Sequence, residues 1–136
     1  MKIYSSFFAL IVVLFFTISC TAQSGKQDNN QVNVNSDIVE VYYFHFTKRC
    51  VTCQAIESQS KKFITDLYGD KVSFTALNLD ENEGAAKGKD LGINGQTLLI
   101  VKGATQINLT NEGFMYARNN PDKLRQILKE KIDPLL

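Results

Sequence analysis

The sequence predicts an α/β domain of three layers, α/β/α, built on a central mixed four-stranded sheet. Three observations lead there. Apolar runs of strand length alternate with segments of helical periodicity. A strand–helix–strand order early in the chain needs a crossover, which leaves the first two strands parallel. Later, two short runs flank the turn Lys102-Gly103 and read as an antiparallel hairpin.

Each element has its own warrant. Ile38 to Phe46, IVEVYYFHF, is rich in β-branched and aromatic residues and nearly continuous in apolar character, as a central strand covered on both faces requires. From Cys50 to Tyr68 the pattern turns helical, with Ile56, Phe63 and Leu67 on one face and Gly69 as the stop. Val72 to Leu79 is a second strand, closed by Asp80-Glu81-Asn82. A weak helix is expected over Glu83 to Leu91, because Gly84 and Gly88 lower its propensity. Thr97 to Val101 and Thr105 to Leu109 form the hairpin strands. The last helix has Asn120 as its cap, Pro121 at the first helical position, a stripe of Leu124, Ile127, Leu128 and Ile132, and Pro134 as its end.

In a chain of 136 residues, 44% hydrophobic and with a formal net charge of +1, this is one small domain with something added. The balance gives no clustered basic face, so nucleic acid is not an expected partner. The addition is N-terminal. Met1-Lys2 is a short positive start, Ile3 to Ile18 is almost wholly apolar, and Ser19-Cys20 follows, which are the parts of a secretory signal. A Cys directly after Thr17-Ile18-Ser19 makes the stretch resemble a bacterial lipoprotein signal, although Thr17 stands where that pattern usually has Leu. The resemblance implies a signal peptide over 1–19, cleavage before Cys20 and lipid on that Cys. Plain secretion or an uncleaved anchor helix are the alternatives, and all three place the domain outside the cytoplasm, where disulfides persist. Residues 21–37, TAQSGKQDNNQVNVNSD, have too little apolar mass for a core and read as a flexible tether, leaving 38–136 as the folded domain. A lipid-anchored, periplasm-facing monomer is expected, held to the membrane through its acyl chains.

With Cys20 assigned to export, Cys50 and Cys53 are the remaining pair. They stand three apart where a strand hands over to a helix, so both sulfurs share a face and can meet in a small disulfide ring. Cys50 falls at the helix start, where free amide N–H groups and the helix dipole favour an anion, and Lys48 and Arg49 add positive charge. Such surroundings lower a thiol pKa from about 8.5 to about 3.5–7.5, making a nucleophile at neutral pH. Cys53, one turn deeper, would resolve a mixed disulfide. Two other readings of the motif stay open: a soft-metal or metalloid site, and an inert staple.

The segment Ile38 to Leu136 resembles the thioredoxin fold family, with RCVTC in place of its active-site motif, LNLDEN (77–82) as the following strand end, and GQTLLIVKGATQI (95–107) as the third strand and hairpin. More narrowly, VEVYYFHFTKRCVTCQAIE is similar to small bacterial thioredoxin-like proteins labelled nitrophenyl-compound nitroreductase subunits. The family resemblance implies thiol–disulfide exchange by Cys50 and Cys53. The departures are specific. Counting six residues back from Cys50, the family's buried acid is replaced by Phe44, and its partner Lys on the next strand by Ala76. Losing both together is consistent, because either charge alone would be buried unpaired. The family's cis-proline before the third strand is Gln96, ahead of Thr97; a non-proline cis bond costs about 2.5–4 kcal/mol, so Gln96 is expected to be trans, with polar groups near sulfur.

His45, the sole histidine, could join Cys50 and Cys53 as a third ligand for copper, zinc or arsenic, could accept a proton near the cysteines, or could simply be hydrogen-bonded in the sheet. The aromatic run Tyr42, Tyr43, Phe44 and Phe46 reads as core and sheet surface. No flavin- or nicotinamide-binding motif is present, so no cofactor is expected and electrons must pass to or from a membrane or soluble protein partner. The sequence thus points to a membrane-anchored envelope thiol–disulfide oxidoreductase, with a metal-binding module or an accessory reductase subunit as rivals.

Overall fold

A computed structural model of the protein describes residues 38–136. The signal segment, Cys20 and the tether lie outside the described residues. The elements run β1 (Val39–His45), α1 (Val51–Tyr68), β2 (Val72–Asn78), α2 (Asn82–Leu91), β3 (Thr97–Lys102), β4 (Thr105–Asn108), α3 (Thr110–Tyr116) and α4 (Pro121–Ile132), with 3-10 turns at Gly69–Lys71 and Asp133–Leu135.

The four strands form one mixed sheet in the order β2-β1-β3-β4. The α1 crossover makes β1 and β2 parallel, whereas β3 runs antiparallel to both β1 and β4. Strand β1 is therefore central, as its unbroken apolar character demanded, and its residues alternate between two cores. Val39, Val41 and Tyr43 face α1, α3 and α4, where they pack with Ile56, Phe63, Ile64, Leu98, Ile100, Leu124, Leu128 and Ile132. Tyr42 and Phe44 face the other way, into a smaller cluster with Leu77, Leu99 and Val101 that is roofed from the α2 side by Leu79, Leu91 and Ile93. Helices thus cover both faces of the sheet, and the three-layer α/β class holds. Among the described residues, no helix is long and apolar enough to cross a membrane.

Three expectations need correction. Helix α3 was not foreseen. It is short, Gly113 sits in its middle, and Phe114 and Met115 are exposed, so it shows no apolar stripe. It is set instead by Thr110, whose amide and hydroxyl donate to Asn108 Oδ1 at 3.0 and 2.6 Å. On α1, Leu67 is only partly buried, and Ile64 takes the core position beside Phe63. Helix α2 also forms a full element despite its glycines, because they are contact positions. A Cβ on Gly84 would stand 2.0 Å from the Asn78 carbonyl oxygen, and one on Gly88 would stand 2.9 Å from a Leu79 methyl. The propensity lost at these sites lets the helix lie directly on the end of β2. The C-terminal helix matches its expected signals: Asn120 Oδ1 accepts from the Lys123 amide at 3.1 Å, and Pro121 opens the helix.

Candidate active site

Strand β1 ends at His45 and helix α1 begins at Val51, so residues 46–50 form the junction at which the cysteines sit. Cys50 is the N-cap of α1, with extended backbone, and its sulfur accepts from the Cys53 amide at 3.2 Å. That sulfur takes the place usually held by a Ser or Asp oxygen, so an orphan N–H of the first turn already points at it. Cys50 and Cys53 are joined by a disulfide, with Cα atoms 5.1 Å apart. The two ends of the bond differ. Cys50 is exposed, whereas Cys53 is buried at 5% exposure. The outer sulfur is the one open to a partner protein.

The junction is tied down from β2. The Thr47 amide donates to Asp80 Oδ2 at 2.8 Å, and Asn78 Nδ2 donates to Thr47 Oγ1 at 3.0 Å and to Glu81 Oε1 at 2.9 Å. The Asp80 amide closes back onto Asn78 Oδ1 at 3.1 Å. Thr47, through its amide first and its hydroxyl second, holds the Asp80 carboxyl below its ordinary range. The LNLDEN stretch is thus what anchors the loop that delivers Cys50.

The expected supporting residues fall into different places. Lys48 is exposed. Arg49 forms a half-buried ion pair with Glu57 of α1, so its charge is shared rather than devoted to the Cys50 sulfur. Glu57 was not expected; its place two turns into α1 is the signal that could have found it. Thr97 is buried and turns its hydroxyl to the Gly95 carbonyl at 2.9 Å, away from chemistry. Gln96 does reach the site: its Oε1 lies 3.5 Å from Cys53 Sγ, and its Nε2 donates to the Tyr43 hydroxyl. Among the described residues no peptide bond is cis, so Gln96 is trans as expected.

Tyr43 is the residue that counting along the chain missed. Six positions before Cys50 lies Phe44, but Phe44 pairs with Leu77 and belongs to the cluster under α2. Across from Ala76 stands Tyr43, on the cysteine face, fully buried. Burial raises its pKa, while the Gln96 hydrogen bond and Arg49 lower it and Glu57 raises it. Sequence spacing fails here because a one-residue shift moves a strand side chain to the opposite face.

His45 shares the Tyr43 face, with ring centroids 5.9 Å apart, and its Nδ1 lies 3.0 Å from the Phe46 carbonyl. Among the described residues, no three His, Cys, Asp or Glu side chains are gathered as a metal-ligand set, and the structure does not bring His45 together with the cysteines in that role.

No family model matches the chain, and a comparison with the curated proteins finds no match. Similar solved structures include oxidized thioredoxin O2 from Arabidopsis thaliana (17% identity over 69% of this chain and 75% of that one, TM-score 0.48). Others are a thioredoxin from Trypanosoma brucei brucei (23% identity, 74% and 80%, TM-score 0.46) and oxidized mitochondrial thioredoxin 3 from Saccharomyces cerevisiae (20% identity, 71% and 82%, TM-score 0.46). These likenesses concern the layout of the chain.

Proposed function

We propose that the chain is a cell-envelope thiol–disulfide oxidoreductase, anchored through lipid on Cys20, that exchanges electrons with a partner protein through Cys50 and Cys53. The observation that carries the chemistry is the inequality of the two sulfurs: one exposed at a helix N-cap, the other buried one turn deeper. An exposed sulfur that already accepts an amide N–H is favoured as a thiolate, and a buried one is shielded from a bulky partner while its neighbour stays within reach.

The exchange runs in two displacements. The Cys50 thiolate attacks one sulfur of a partner disulfide; an S–S bond forms between them, and the partner's other sulfur leaves as a thiolate. Cys53, deprotonated, then attacks Cys50 Sγ, closing the intramolecular disulfide and releasing the partner's second thiolate. The partner gains two electrons and its two thiolates take up protons, one of them balancing the proton lost by Cys53. A dithiol protein runs the same steps in reverse to reduce the pair again. The anchor reading rests on the Met1–Cys20 pattern and places this exchange at the membrane surface, facing the periplasm.

The test is a Cys53→Ser chain expressed with its signal intact. The expected result is a partner held covalently on Cys50 and released by dithiothreitol, absent from the Cys50→Ser/Cys53→Ser control. No adduct in oxidising medium would sink the reading. Separately, Cys20→Ser should move the chain from the membrane fraction to the soluble one. The narrower likeness to nitrophenyl-compound nitroreductase subunits supports a second reading, an accessory subunit whose disulfide is a staple. In that case the double Ser variant keeps function and only melts earlier.

A further inference from the structure

A part-buried polar line runs from the disulfide: Cys53 Sγ, the Gln96 side-chain amide, the Tyr43 hydroxyl. Its chemistry is unusual in one respect. A carboxamide has an acceptor end and a donor end, whereas a phenol hydroxyl can serve as either. The line therefore has two complete arrangements. In the one observed, Oε1 faces Cys53 and Nε2 donates to the Tyr43 oxygen. Turned half a revolution about its last bond, the amide would present N–H to Cys53 while Oε1 accepts from the Tyr43 O–H.

The structure shows the first arrangement with Cys53 in the disulfide; in the reduced protein it suits a protonated Cys53, whose S–H can donate to Oε1. The second suits a thiolate, which needs a donor. In neither does Gln96 or Tyr43 carry a formal charge, which matters beside a sulfur only 5% exposed, where a fixed ionic base would be costly. We propose that Gln96, positioned by Tyr43, sets the protonation of Cys53 by turning its amide: oxygen toward the resting thiol, nitrogen toward the thiolate that must attack Cys50. The inference rests on the exchange reading above. Gln96 touches the reacting sulfur; Tyr43 acts through Gln96 and is a positioning residue. The proton leaves Cys53 as the partner's thiolate takes one up, so Cys53 alone changes charge while Gln96 and Tyr43 stay neutral.

The other ionisable groups around Cys53 are few. Cys50 caps its helix, Glu57 of the same helix is neutralised by Arg49, and β1 contributes His45 beside Tyr43. Helix α3, packed on α1 through Gly113 and Ile56, carries Glu112 and Tyr116. None of these is altered by the substitutions below.

The test uses the full chain carrying Cys50→Ser, which leaves Cys53 as a free thiol that cannot complete exchange. Its alkylation is followed from pH 5 to 11 by mass spectrometry of the peptide containing Cys53, so Cys20 does not interfere. Gln96→Met keeps length but removes both ends of the amide. The midpoint should move to higher pH, slowing alkylation at pH 7 roughly three- to tenfold, because a thiolate loses a charge-assisted donor while a thiol loses only a weak bond. Tyr43→Phe should shift it the same way by a smaller factor, through lost polarisation of the amide. The limiting rate at high pH should stay unchanged in both, whereas a purely structural role would raise that rate by loosening the site and leave the midpoint alone. A midpoint that stays put or falls in Gln96→Met overturns the proposal even if the native chain proves an efficient exchanger. Conversely, an exchange-inactive native chain with a shifting midpoint would indict the exchange reading and not the amide.

Discussion

Tyr42 and Tyr43 are neighbours on one strand and end in different worlds. Tyr42 points under α2, where Lys87 stands 4.9 Å above its ring and its hydroxyl runs out to donate to Glu40 at 2.8 Å. Burial, then the Glu40 carboxylate, pushes its ionisation far above the usual range, and nothing chemical follows. Tyr43 points under α1, stays wholly buried and ends on Gln96, which contacts the disulfide. The two faces of the sheet differ in the same way. Toward α2 the core is small, and the helix is seated by glycines directly on backbone. Toward α1, α3 and α4 the core is large, and a polar line is admitted into it from the cysteine end. A part-buried polar line is tolerable where the surrounding apolar mass is large enough to bear its cost.

Two adjacent residues of β3 test that contrast most strongly. Ile100 and Leu99 are both buried, at 0% and 2% exposure, but on opposite faces. Each truncation to Ala should cost about 2–5 kcal/mol, with Ile100→Ala at the upper end, because its surroundings are held by three helices and cannot collapse into the gap. Chemical denaturation of the two variants measures the difference; equal losses would remove the distinction between the faces.

Gly84→Ala comes next. Its new methyl would meet the Asn78 carbonyl oxygen at 2.0 Å, and the obstacle is backbone, so α2 must lift. The expected loss is about 1–3 kcal/mol, a fall in melting temperature of several degrees for a domain of this size. Cys50 alkylation in the reduced protein should change little if the α2 face is purely structural. A variant with unchanged melting temperature would mean that the helix seat is soft.

The mixed four-stranded sheet with helices on both faces, the CxxC placement and the capped last helix were legible because each rests on a local pattern: apolar continuity in Ile38–Phe46, the Asn120-Pro121 start, the Lys102-Gly103 turn. Helix α3 was not, since its warrant is a pair of hydrogen bonds from Thr110 and a contact between Gly113 and Ile56 far away in sequence. Gln96 was visible as a polar group near sulfur, but its partner was not. Phe44 was chosen by counting from Cys50, whereas the cross-strand register with Ala76 selects Tyr43, and register depends on how many residues the junction loop absorbs. Arg49 was read as a charge for the thiolate because Glu57, eight positions on, becomes its neighbour only once α1 has formed.

The smallest effect concerns the loop that joins the two faces at the site. Asp80, at the end of β2, accepts from Thr47 in the junction before Cys50, and this bond depresses its pKa. A carboxyl whose folded-state pKa lies below its unfolded value contributes stability that is present above the unfolded value, about 3.9, and is lost as pH falls through the folded one. Asp80 is exposed, so solvent screens most of that contribution. The melting-temperature gap between the native chain and Asp80→Asn should therefore be small near pH 7 and close further as pH drops below about 4. The reduced Asp80→Asn protein should also show faster Cys50 alkylation at fixed pH, because the loop has lost an anchor. A gap that widens in acid would reverse the sign of the argument and mean that the Thr47 bond does not favour the ionised carboxylate.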